Sequence, residues 1–231
     1  MHSTHQTSND HFAAELRGFG PLAITAMLII LLTGNIVLPN MVPLPIGAVL
    51  VLIWVSLSHT PWKEIGYVRP KNWTATIAVG IVFGIAFKFV MKAVVMPLFG
   101  ADPINHSYHF LAGNNAVLPA AIWTMLVAGF GEETVFRGFL FERLGKLFGA
   151  SRAAKISIVL LTSAWFALSH YFNQGWTGVE QAAITGLVFG SMFAATKTIW
   201  MIMIAHAFFD LTSLAMIYWN VEPAIAHLIF K

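Results

Sequence analysis

Seven runs of mostly apolar residues, 20–38, 43–58, 74–98, 118–141, 156–172, 181–196 and 199–219, constrain this chain more than any other feature. A helix needs roughly 20 such residues to cross the hydrocarbon core of a bilayer. The composition agrees, because 58% of residues are hydrophobic and only 10% are charged, whereas soluble domains carry about 25% charge. The expectation is an all-α fold, a polytopic membrane helix bundle of about seven transmembrane helices. Seven crossings use about 140 residues and leave only ~80 to 90 for tails and loops. The chain therefore divides into a polar N-terminal tail (1–17), a single transmembrane helical domain (18–222) and a C-terminal tail (223–231). Any chemistry sits within the membrane or at its edge.

The breaks between runs are punctuated by Pro39, Pro43 and Pro45, then Pro61 and Pro70, then Pro97 and Pro103. The first run is too long for a signal peptide and lacks a small-residue cleavage site. Lys63, Arg69 and Lys71 lie in the second-to-third loop, Arg143, Lys146, Arg152 and Lys155 in the fourth-to-fifth, and Lys197 in the sixth-to-seventh. The alternate loops 39–42, 99–117 and 173–180 hold no Lys or Arg. By the positive-inside bias the N-terminus is cytoplasmic and the C-terminus lies outside, in a multi-pass protein of the cell membrane. The basic residues follow topology and form no patch, so nucleic acid is not an expected partner. The absence of cysteine removes thiolate nucleophiles and Cys-ligated metals. No repeat and no pair of corresponding halves is visible, which disfavours a solenoid and an inverted-repeat transporter. His2, His5 and His11 in the tail are too sparse for a metal tract.

Charges inside spans are costly, at about 2.5 to 3.5 kcal/mol each on insertion scales. They are Lys88 and Lys92 in the third span, Glu132, Glu133 and Arg137 in the fourth, and Asp210 in the seventh, with His170 and His206 in the fifth and seventh. Glu133 and Arg137 are four apart with the acid first, the favourable order for an ion pair along one helix face. Glu132 points elsewhere, and a desolvated, unpaired glutamate suits a general base. His206 and Asp210 share one face, as do Phe166 and His170. At ~1.5 Å per residue, Glu132 lies ~16 Å beyond Arg143 and His206 ~14 Å beyond Lys197, so the two can meet. His170, ~22 Å beyond Lys155, needs helix tilt to join them. Lys92 is near enough to a helix end to snorkel, and Lys88 needs a partner such as Glu132 or Asp210. Glu with His can activate a water against a carbonyl, or Glu132, His170, His206 and Asp210 can hold a divalent metal such as zinc. The zincin H-E-x-x-H is absent, Ser191 is not in a membrane serine-protease context, and Gly129-Phe130-Gly131 reads as a close helix approach.

E-E-x3-R at Glu132, Glu133 and Arg137, F-x3-H at Phe166 and His170, and H-x3-D at His206 and Asp210, in that order within 130–210, resemble the CAAX protease and bacteriocin-processing family. These are also called the Abi or CPBP intramembrane proteases, and the stretch Trp62–Tyr67 is similar to the lead-in of many members. The resemblance implies a helical membrane endopeptidase acting on a peptide or membrane-protein substrate through glutamate-activated water. Glu132 is then the base, His170 orients or activates the water, and His206 with Asp210 stabilises the oxyanion. Glu133, Arg137 and Phe166 support the site. The eukaryotic prenyl-protein protease has Asn where this chain has Asp210, and an ionised Asp repels an oxyanion. It must carry a proton, accept from His206, or help hold a metal. The rival expectation is a non-catalytic membrane binder of the bacteriocin-immunity type, or a proton-coupled carrier using Glu132, Glu133 and Lys88.

Overall fold

Every regular element is helical among the described residues of the computed structural model, which are 2–33 and 45–230. The polar N-terminal stretch forms α1 (His2–Arg17), followed by α2 (Pro21–Thr33). Then come α3 (Ile46–Leu57), a 3-10 turn at Trp62–Ile65, and α4 (Trp73–Leu98). Leu118–Glu133, the wide π stretch Thr134–Leu140 and Phe141–Phe148 run on as one helix, α5. The remainder are α6 (Arg152–Ser169), α7 (Tyr171–Thr196), α8 (Trp200–Tyr218) and the short α9 (Glu222–Ala226). Asn72 caps α4 by accepting from the Ala75 amide at 3.0 Å, and Ser151 caps α6 by accepting from the Ala154 amide at 3.1 Å.

Four helices, α4, α6, α7 and α8, are long and apolar enough to cross a membrane, or five if Asn9–Arg17 and Pro21–Thr33, bent by 62°, act as one span. The expected count of seven is thus not reached among the described residues. α3 is 12 residues long, ~18 Å at 1.5 Å per residue and short of a ~30 Å core. Glu132, Glu133 and Arg137 lower the apolarity of α5. The ends of the runs 20–38 and 43–58, with Pro39 and Pro43, fall outside the described residues. Two expected loops shrink. The helix α5 continues to Phe148 and carries Arg143 and Lys146, and α7 already begins at Tyr171, broken only by the non-helical backbone of Gly175 (φ 61°, ψ −159°).

The centre of the bundle is α8, clamped between α4 and α5 where those helices present glycines. A Cβ at Gly84 would stand 2.2 Å from the Ala205 carbonyl oxygen, and one at Gly129 would stand 2.5 Å from the Ala207 amide nitrogen. Only glycine permits these backbone approaches. They pin residues 205–207 between two helices, so the direction of His206 is fixed by its neighbours in the chain. The close approach expected of Gly129 is therefore present.

The loops segregate to two ends. At one, Lys146 pairs with Glu64 at 3.2 Å, the Ile199 amide donates to the Gly66 carbonyl at 3.0 Å, and Arg143 donates to the Arg17 carbonyl at 2.9 Å. At the other, the Gly113 amide donates to the Tyr218 carbonyl at 2.9 Å, and Gln174 donates to the Tyr108 hydroxyl at 3.4 Å. Among the described residues, the basic loops thus share one end, and the segments 99–117 and 173–180, which hold no Lys or Arg, share the other. Which side each end faces follows from the charge bias alone. The chain has no native cysteine, so Lys71→Cys and Ala116→Cys report this directly. In intact cells an impermeant maleimide is expected to label Ala116→Cys, with Lys71→Cys labelled only in inverted vesicles; the reverse pattern overturns the orientation.

Candidate active site

Neighbouring carboxylates on α5 have opposite surroundings. Glu133 points into the bundle and is fully buried, while the Glu132 side chain keeps 33% of its surface exposed towards a cavity. Glu133 Oε1 accepts from Arg137 Nη1 at 2.9 Å and from His206 Nδ1 at 2.7 Å. Arg137 Nη2 donates to the Gly186 carbonyl of α7 at 3.2 Å, and the guanidinium lies 4.6 Å from the centre of the Phe166 ring. One carboxylate oxygen thereby ties α5 to α8, and its cation ties α5 to α7. The π stretch begins at Thr134, immediately after the two glutamates; such widened turns are frequent at functional sites.

A carboxylate only accepts, so His206 must carry its proton on Nδ1. That turns Nε2 to the cavity, 3.8 Å from Glu132 Oε2 and 3.6 Å from Asp210 Oδ2. His170, just past the end of α6, donates Nδ1–H to the Phe166 carbonyl at 2.8 Å, leaving its Nε2 without a proton when the ring is neutral. Phe166 lies between the two imidazoles, with ring centres 4.6 Å from His170 and 5.9 Å from His206. Glu132, His170, His206 and Asp210 all line one cavity of about 230 Å³. Four side chains separated by up to 78 positions in the sequence therefore face one cavity, with His206 beside Glu132 and Asp210 and His170 placed across the Phe166 ring. His170 faces this cavity from the residue that follows α6, despite its greater counted depth.

Other placements differ from expectation. Lys88 pairs with neither Glu132 nor Asp210; its Nζ donates to Gln181 Oε1 at 2.9 Å. Lys92 does not snorkel but turns inward to Glu222 at 2.8 Å, because α9 folds a carboxylate back over the end of α4. Of the tail histidines, His11 lies 3.7 Å from Glu15 at the surface, and the side chains of His2 and His5 are outside the described residues. Among the described residues no three of His, Asp and Glu are grouped to hold a metal ion. The Nδ1 atoms of His206 and His170 are engaged by Glu133 and the Phe166 carbonyl, so each imidazole offers the cavity only its Nε2.

Tyr108, Gln174 and Gln181 also line the cavity and were not singled out from the sequence. Burial, reinforced by the charges of Asp210 and Glu132, pushes the Tyr108 phenol above its ordinary range, so it stays a donor beside the carboxylates. Nothing local marks these residues, since loop and helix polar groups acquire meaning only when the cavity closes around them.

Residues 114–212 match the family model described as type II CAAX prenyl endopeptidase Rce1-like. The match covers somewhat less than half of the chain and contains all three motifs, so the family resemblance is borne out over the stretch that builds the cavity. No curated protein and no solved structure matches the chain.

Removing Glu133 leaves Arg137 buried without its anion, which costs about 3–5 kcal/mol for a buried pair broken on one side. Glu133→Ala is expected to lose stability on that scale in thermal unfolding in detergent micelles. Glu132→Ala, at the cavity wall, is expected to lose much less. Equal losses contradict the division of labour between the two glutamates.

Proposed function

We propose that the protein is an intramembrane endopeptidase of the CAAX type, hydrolysing a peptide bond in a peptide or membrane-protein substrate by water activated at Glu132. The observation that carries this reading is the His206 ring, fixed through Nδ1 by buried Glu133 and presenting Nε2 between Glu132 and Asp210 at the cavity. The cavity wall also includes Leu31, Val127, Phe136, Trp165 and Leu214, which suits an apolar segment held in or against the bilayer.

In this mechanism Glu132 takes a proton from water as the water oxygen bonds to the scissile carbonyl carbon. His170 Nε2 accepts the water's second hydrogen as a hydrogen bond and sets its direction of attack. His206, when doubly protonated, donates Nε2–H to the developing oxyanion while Nδ1–H stays on Glu133. Asp210 adds a second donor only when its carboxyl carries a proton. Collapse of the tetrahedral intermediate breaks the C–N bond as Glu132 passes its proton to the leaving amine, giving one new carboxyl and one new amino terminus. Arg137 holds Glu133 from outside the cavity, and Phe166 packs between the two imidazoles at the cavity wall. A proton relay through Glu132, Glu133 and Lys88 gains no support, since Lys88 is engaged by Gln181.

General-base catalysis typically contributes about 100- to 10,000-fold. Glu132→Gln is expected to lose cleavage on that scale while unfolding at the native temperature. Comparing peptide termini in membranes from cells that express either form at equal abundance measures it. Termini unique to the native chain support proteolysis and identify the substrate; identical termini in both contradict it.

A further inference from the structure

Beside the main cavity, at the end of the bundle opposite the basic loops, lies a second cavity of about 130 Å³. Asn105, Gln174 and Gln181 line both, so the two share a wall. Lys88 and Lys92 sit on this smaller cavity, both buried. Lys92 is neutralised by Glu222, whose second oxygen accepts from the Asn105 amide at 3.3 Å. Lys88 has no carboxylate partner among the described residues; its one hydrogen bond goes to a neutral amide, and Phe209 lies 4.8 Å beneath its nitrogen. The other nearby acids are engaged elsewhere. Asp102 accepts from the Ile104 amide at 2.8 Å and lies 3.1 Å from His106, and Asp210 lies 3.6 Å from His206.

A buried ammonium with no carboxylate in hydrogen-bonding contact is costly, and the proposed mechanism makes no use of it. Its surroundings are built of donors. Because Lys88 can only donate, Gln181 must turn its oxygen to Lys88, which leaves the Gln181 amide N–H groups facing away with no hydrogen-bond partner among the described residues. An ammonium with free protons beside a free amide N–H matches an anion with two acceptor oxygens. The space equals several water molecules at about 30 Å³ each, enough for a carboxylate with a small appendage.

We propose that Lys88 and Gln181 form a subsite for a carboxylate of the peptide being cleaved, and so make Lys88 a specificity-determining residue. The subsite lies across the shared wall from Glu132 and His206, so a peptide crossing the main cavity can place its carboxylate there while a bond upstream meets the catalytic groups. The identity of the ligand as a peptide rests on the proteolytic reading above. The carboxylate can be the chain terminus or an acidic side chain near it.

The test uses the full chain in detergent micelles and a pool of short apolar peptides carrying an N-terminal fluorophore. The pool is made as free C-terminal acids, as C-terminal amides, and as amides with Glu at the last position. Binding is read by fluorescence anisotropy, and cleavage of the same pool is followed separately. A hydrogen-bonded charge predicts about tenfold tighter binding of a carboxylate-bearing form over the plain amide. Preference for the free acid assigns the terminus, and preference for the Glu amide assigns a side chain. Lys88→Gln is expected to erase the preference and Lys88→Arg to keep most of it. Equal binding of all three forms by the native chain, or an undiminished preference in Lys88→Gln, overturns the subsite. If Lys88→Gln does not fold, the native comparison and Lys88→Arg still decide. Failure of the proteolytic reading is separate: it shows as no cleavage by the native chain, or as cleavage by Glu132→Gln equal to native.

Discussion

One oxygen organises this protein. Glu133 Oε1 accepts from Arg137 at 2.9 Å and from His206 at 2.7 Å, inside a bundle where unpaired charge is severely penalised. The three groups reach one another only if α5, α7 and α8 sit where they do, because Arg137 also reaches the Gly186 carbonyl. The same bond decides which imidazole nitrogen of His206 faces the cavity. Stability and the geometry of the site therefore depend on a single interaction, and Glu132 is left free of it one residue earlier.

The helices can deliver that interaction because their backbones approach without side chains between them. Gly84 lies against Ala205 and Gly129 against Ala207, bracketing His206 in the chain. Lipid supplies no hydrophobic drive for helix association, so such close packing and internal hydrogen bonds carry the assembly. The charges follow the same logic. Lys92 finds Glu222, Arg143 finds Glu142, and Lys146 reaches both Glu142 and Glu64. Lys88 stands apart with a neutral partner, which is why the small cavity beside it reads as a place for a ligand's charge.

Much of the site was legible from spacing. The i,i+4 separations of Glu133 and Arg137, of Phe166 and His170, and of His206 and Asp210 place each pair on one helix face, and counting from the loop charges brought Glu132 level with His206. What spacing does not carry is the third dimension between distant segments. Glu222 lies far from Lys92 in sequence, in a stretch with no motif, and only the fold of α9 over α4 joins them. Gln181 gives no sign that it will meet Lys88, since polar residues in helices are ordinary until a cavity forms against them. Helix extents were the weaker part of the fold. Apolar runs show where a helix can lie in lipid, but α5 and α7 extend past theirs because polar turns continue a helix when other side chains pack against them. The span count suffered because Glu132, Glu133 and Arg137 make α5 the least lipid-like of the long helices.

Nitrogen-15 NMR of histidine-labelled protein in micelles, with His206→Asn to assign the resonance, tests the central interaction most directly. The account predicts a protonated Nδ1 on His206 whose hydrogen-bonded resonance shifts strongly in Glu133→Gln and little in Glu132→Gln. An unprotonated Nδ1, or a resonance that follows Glu132 and ignores Glu133, contradicts it.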